Sequence, residues 1–112
     1  MATPLPGKAV RGSKTGRPIM ALLDLLGRRW MMRIIWELHG NALTFRELRE
    51  RCDDMSPTVL NQRLKDLREA GIVDMAEEGG YALSRLGMQL SEVLLLLWKW
   101  SEAWNKNLER RE

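Results

Sequence analysis

At 112 residues, with 45% hydrophobic and 29% charged side chains, the chain has the size and composition of one soluble globular domain. A single cysteine, Cys52, excludes an intramolecular disulfide and fits a reducing, cytoplasmic compartment. The net charge of +3 is unevenly placed: Lys8, Arg11, Lys14 and Arg17 lie in residues 1–18 without any acid, so the remaining 14 cations face all 15 acids in a near-neutral body.

Residues 1–17, rich in Pro, Gly, Ser and Thr, read as a flexible basic arm preceding a domain over 18–108. They lack the apolar core of a signal peptide. Ile19, Leu22, Leu23, Leu25 and Leu26 predict a short, mostly buried helix that Gly27 ends. A second helix is expected from about Arg29 to Leu38, with Trp30, Ile34, Ile35 and Leu38 inward. His39-Gly40-Asn41 breaks it, and Ala42-Leu43-Thr44 suggests a very short strand. A third helix over Thr44–Cys52 carries a capping-box pattern, Thr44 three residues before Glu47.

Asp53-Asp54-Met55 reads as a turn, and a fourth helix is expected over 56–70. Ser56 suits the N-cap, Pro57 the first helical position and Gly71 the stop. Leu60, Leu64 and Leu67 form its apolar stripe. Thr58, Gln62 and Lys65 point away from that stripe with Asn61 at its flank, the mixture that reading base edges requires. Arg63 lies off the centre of this face and suits a phosphate or an intramolecular partner.

Ile72–Ala76 and Tyr81–Leu83 read as a hairpin around Glu77-Glu78-Gly79-Gly80. Ser84 then caps a long helix over 84–108, in which Gly87 is expected to cost a little. Leu86, Leu90, Val93, Leu97, Trp100 and Trp104 recur in steps of four and three, a heptad-like seam, and Leu94, Leu95, Leu96 and Trp98 form a second apolar face. That is more apolar surface than one small domain hides, so Leu90, Val93, Leu94, Leu97, Trp98, Trp100 and Trp104 are expected at a homodimer interface. The apolar run Val93–Trp98 is too short to span a bilayer, and no membrane partner is expected.

One His and one Cys do not supply a nucleophile, a base and an orienting group, so no enzyme is expected. Without a Cys/His cluster, neither a metal site nor a cofactor is expected. Cys52, flanked by Asp53 and Asp54, is expected to be a small buried filler rather than a reactive thiol.

Taken together, the order helix, helix, short strand, helix, helix, two-stranded wing, long helix resembles winged helix-turn-helix regulators, mainly α with a small β-hairpin wing. Several stretches are similar, in register, to motifs of the HxlR-type transcriptional regulators: Leu23-Asp24-Leu25-Leu26-Gly27-Arg28-Arg29-Trp30, Ile34-Ile35-Trp36-Glu37-Leu38, Thr44-Phe45-Arg46-Glu47-Leu48-Arg49, Met55 to Leu64, Leu67 to Val73, and Tyr81 to Gly87. The resemblance runs from about Ile19 to Trp104. It implies a prokaryotic, cytoplasmic, homodimeric regulator whose 56–70 helix enters the major groove of a pseudo-palindromic operator.

On that resemblance the DNA-binding residues are Arg29, Arg46, Arg49, Ser56, Pro57, Thr58, Asn61, Gln62, Arg63 and Lys65. Arg29, Arg46, Arg49 and the arm are expected to meet phosphate. Members of the family often respond to oxidants or electrophiles through a cysteine just before the first helix; here Arg17-Pro18-Ile19-Met20 stands in its place. Glu77 and Glu78 make the wing acidic, against minor-groove contact. A winged-helix protein-interaction module without DNA binding is the alternative, which the near-neutral body favours and the polar face of the 56–70 helix disfavours.

Overall fold

A computed structural model describes residues 2–110. Five helices and one hairpin follow in chain order. Helix α1 is Pro18–Leu26, with proline at its start and Gly27 as C-cap. It is not mostly buried, as its composition predicts. Ala21 and Leu25 face inward, but Ile19 and Leu23 are more than half exposed.

Helix α2, Met31–Glu37, begins later than the sequence pattern suggests. Trp30 adopts φ 75°, left-handed backbone that costs roughly 1–2 kcal/mol for a residue with a Cβ and that a helix cannot accommodate. Trp30 nonetheless packs against the core, half-buried.

Helix α3, Phe45–Arg51, has the reciprocal capping box. The Glu47 amide donates to Thr44 Oγ1 at 3.1 Å, and the Thr44 amide donates to Glu47 Oε1 at 3.0 Å. Accepting the Thr44 amide holds the Glu47 carboxyl below its ordinary pKa. Asp53 and Asp54 then turn the chain with φ of 57° and 53°, a conformation short polar side chains tolerate.

Helix α4, Pro57–Glu69, starts where Ser56 Oγ accepts the Val59 amide at 3.3 Å. It ends in a Schellman motif: Gly71 takes φ 76°, its amide bonds to the Arg68 carbonyl, and the Ile72 amide bonds to the Leu67 carbonyl. Strands β1 (Val73–Met75) and β2 (Tyr81–Leu83) pair antiparallel, Asp74 opposite Ala82. The very short strand expected over Ala42-Leu43-Thr44 is a single bridge, Leu43 exchanging backbone bonds with Tyr81 at 2.7 and 2.9 Å.

Helix α5, Arg85–Arg110, has 26 residues, about 39 Å at 1.5 Å per residue. Only Gly87, Ser91 and Leu94 of α5 are buried. Gly87 is not the mild cost that its place in a helix suggests. A Cβ there would lie 2.1 Å from the Ile72 carbonyl oxygen, so glycine is what lets α5 cross the start of the wing. Ser84 joins the same crossing, its hydroxyl donating to the Gly71 carbonyl at 2.6 Å and accepting the Gly87 amide at 3.0 Å.

The core gathers Leu25, Met31, Ile34, Ile35 and Leu38 with Leu48, Leu60, Leu64, Leu67, Val73 and Leu94. The first residues, expected to be a free arm, lie against it. Thr3 and Pro4 are buried. Pro4, Leu5 and Pro6 line one wall of a cavity of about 350 Å³ whose other walls come from α1, α5 and the Ala70–Ile72 segment after α4. Prolines and a leucine supply the apolar contacts here, and the buried carboxylate of Asp66 anchors Thr3, a pairing across 63 residues that sequence spacing does not display.

Candidate nucleic-acid interface

The α3–turn–α4 unit is held by groups that use their polarity inside the protein. Arg49, expected at phosphate, is instead half-buried, and its Nε donates to the Met55 carbonyl at 2.8 Å, clamping the turn. Arg63 donates from Nε to the Arg29 carbonyl at 2.9 Å and lies 3.9 Å from Asp66, an intramolecular role rather than a free cation. Both engagements share a cause. A turn and a left-handed residue leave carbonyls without helical partners, and the nearest guanidinium supplies the donor.

Arg29 remains exposed, its guanidinium 5.8 Å from the centroid of the Trp30 ring. Arg46 is exposed on α3 and meets only Glu50, at 3.4 Å. Ser56 and Pro57 form the start of α4, as expected. Thr58, Asn61, Gln62 and Lys65 are all exposed along α4, opposite Leu60, Leu64 and Leu67. This leaves a polar ridge along α4, with the exposed arginines Arg29 and Arg46 lying before α2 and in α3. The wing tip bears Glu77 and Glu78, both exposed.

Behind the ridge sits a polar cluster that the sequence pattern does not reveal. Asp66 is 1% exposed. Its Oδ2 accepts from Arg28 Nη1 at 3.0 Å, and its Oδ1 accepts from Gln62 Nε2 at 3.1 Å and from Thr3 Oγ1 at 2.9 Å. Arg28 also donates to the Ala2 carbonyl at 2.8 Å. The one sequence signal for it is the i,i+4 spacing of Gln62 and Asp66 on a helix that starts at Pro57. That signal is weak, because such pairs are common on solvated faces.

Of the residues expected at a dimer interface, Leu94 is buried in the domain's own core and Leu90 packs against it. Trp98 stacks obliquely on Trp36, ring centroids 5.8 Å apart. These three serve the attachment of α5 to the domain, since a helix lying on its own core must turn one stripe inward. Val93, Leu97, Trp100 and Trp104 are exposed, and Trp100 stacks on Trp104 at 5.8 Å. Ile19 and Leu23 of α1 are exposed as well.

Cys52 closes α3 with no exposure, and burial pushes its thiol up to about 11. Among the described residues there is no group of three or more His, Cys, Asp or Glu placed to hold a metal ion. No described helix is long and apolar enough to cross a membrane.

The profile of the HxlR-like helix-turn-helix family matches residues 25–109. The uncharacterized HTH-type transcriptional regulator YvaP of Bacillus subtilis is 31% identical over 88 residues, covering 73% of this chain and 82% of that protein. Among solved structures, quinone-bound YodB from B. subtilis superposes with a TM-score of 0.69 at 29% identity, over 76% of this chain and 94% of that one. Reduced HlyU from Vibrio cholerae gives a TM-score of 0.60, also at 29% identity, over 70% of this chain and 86% of that one.

Proposed function

This chain belongs to the HxlR-like helix-turn-helix family of transcriptional regulators, and from that premise we propose that it acts as a homodimer reading a pseudo-palindromic DNA site. The observation that carries the reading is the α4 ridge. Thr58, Asn61, Gln62 and Lys65 stand exposed on a helix whose back is fixed by Leu60, Leu64, Leu67 and Asp66. Such a ridge fits the major groove, and its neutral donors and acceptors suit base edges rather than phosphate alone.

Phosphate contact falls to Arg29, Arg46 and the exposed cations Lys8, Arg11, Lys14 and Arg17, because Arg49 and Arg63 are engaged internally. The acidic wing stays clear of the backbone. Two copies join through α5 and α1, covering Val93, Leu97, Trp100, Trp104, Ile19 and Leu23. The protein works in the cytoplasm on nucleoid DNA, and with a buried, high-pKa Cys52 its signal is not thiol oxidation.

The test is titration of a selected duplex and a scrambled duplex with the parent and Gln62→Ala. The variant loses about 1–3 kcal/mol on the selected duplex and little on the scrambled one. Equal losses on both remove Gln62 from base reading. A second reading, a protein-interaction module without DNA binding, is favoured by Glu77 and Glu78 at the wing tip. It predicts no preference between the two duplexes for the parent.

A further inference from the structure

Gln62 is not a free glutamine. Its Nε2 donates to Asp66 Oδ1 at 3.1 Å, and Asp66 is almost wholly buried. An ionised carboxylate only accepts hydrogen bonds, so this partner fixes which end of the carboxamide faces inward. The opposite orientation would set the Gln62 carbonyl oxygen against a buried negative charge. Asp66 itself is fixed by Arg28 on Oδ2 at 3.0 Å; the Thr3 hydroxyl lies 2.9 Å from Oδ1 but closer to Glu69 Oε2, at 2.5 Å, and has one proton to share between them.

The consequence for recognition follows from counting donors. A free glutamine amide can offer two N–H groups, which match the O6 and N7 acceptors of guanine, or one N–H with its oxygen, which match N7 and the N6 amine of adenine. With one N–H committed to Asp66, a single donor and the Oε1 acceptor remain, the complement of adenine. Resting on the reading of α4 as the groove helix, we propose that Asp66 is a positioning residue that sets Gln62 to select adenine over guanine.

Asp66→Asn provides an asymmetric test. Arg28 bonds one carboxylate oxygen and Arg63 lies 3.9 Å from that same oxygen, so the lone oxygen of asparagine belongs on their side. Its amide then faces Gln62 as a donor. Gln62 must turn its oxygen inward and present two N–H groups outward, so the base preference moves from adenine towards guanine.

The experiment is selection from a randomised duplex pool by the parent, Asp66→Asn, Thr3→Val and Gln62→Ala. The position whose preference vanishes with Gln62→Ala is the one to read. The parent enriches adenine there, and Asp66→Asn lowers the adenine-to-guanine ratio about tenfold, the scale of a bidentate contact. Thr3→Val, which leaves Asp66 between Gln62 and Arg28, keeps the parental ratio. A parental pool with guanine as frequent as adenine overturns the proposal, as does an unchanged ratio in a folded Asp66→Asn.

Should Asp66→Asn not fold, the parent alone decides. A 7-deaza-adenine substitution at that position weakens binding about tenfold if Gln62 donates to N7, and an unaltered affinity refutes the assignment. Failure of the underlying reading looks different: no position in the parental pool then depends on Gln62.

Discussion

Cys52 shows how burial decides chemistry at a single residue. Burial dominates the thiol pKa; Arg33 offsets it only in part, and Glu37 and Asp53 act in the same direction as burial. With a pKa of about 11, only about one thiol in ten thousand is thiolate at pH 7. Iodoacetamide should therefore label the folded protein far more slowly than the urea-unfolded chain, and diamide should leave DNA binding unchanged in both parent and Cys52→Ser. Rapid labelling of the native state, or release by diamide in the parent alone, contradicts this. The sign of the pH dependence follows. A thiol pKa raised by folding contributes stability present below its ordinary value of 9.0 and lost as pH climbs towards 11, so Cys52→Ala should flatten the alkaline fall in stability.

Gly87 reverses an expectation drawn from propensity. Ordinarily, replacing a mid-helix glycine by alanine gains up to about 1 kcal/mol. Here the added methyl meets the Ile72 carbonyl, so Gly87→Ala should lower stability by about 1–3 kcal/mol, the usual range for overpacking. Urea unfolding measures it, and a stabilised variant would overturn the close approach.

Among the elements, those whose ends are written in local chemistry were legible. Ser56, Pro57 and Gly71 bound α4, and Thr44 with Glu47 opens α3, because caps act over three or four residues. What escaped depends on distant partners. The left-handed Trp30, the guanidinium of Arg63 on the Arg29 carbonyl and the seat of Thr3 on Asp66 join segments whose spacing carries no periodic signal. The same division applies to the interface: exposed Thr58, Asn61 and Lys65 follow from the helical wheel, whereas the internal engagement of Arg49 and Arg63 does not.

The first segment illustrates the consequence. Since Thr3 and Pro4 are seated, deleting residues 2–17 would disturb α4 as well as remove charge. Neutralising Lys8 and Lys14 to glutamine isolates the electrostatic part. For every phosphate that these lysines neutralise in the parent, the variant's slope of log affinity against log salt should be flatter by about 0.9, with stability unchanged. An unaltered slope assigns those lysines to solvent.

For the whole molecule, two surfaces define the account: a polar ridge on α4 and an apolar face on α5 with α1. In the homodimer proposed above, two copies joined through the second surface present two ridges to one side of a duplex. Replacing Leu97 and Trp100 together with glutamate should yield monomers or insoluble protein, read by sedimentation; a parent that sediments as a monomer at micromolar concentration refutes the dimer. The most direct measurement is a hydroxyl-radical footprint on the duplex that the parent enriches from a random pool. A homodimer on a pseudo-palindrome gives two symmetric protected half-sites centred about 34–36 Å apart, or a multiple of that spacing. A single asymmetric patch, or no enriched duplex at all, would contradict it.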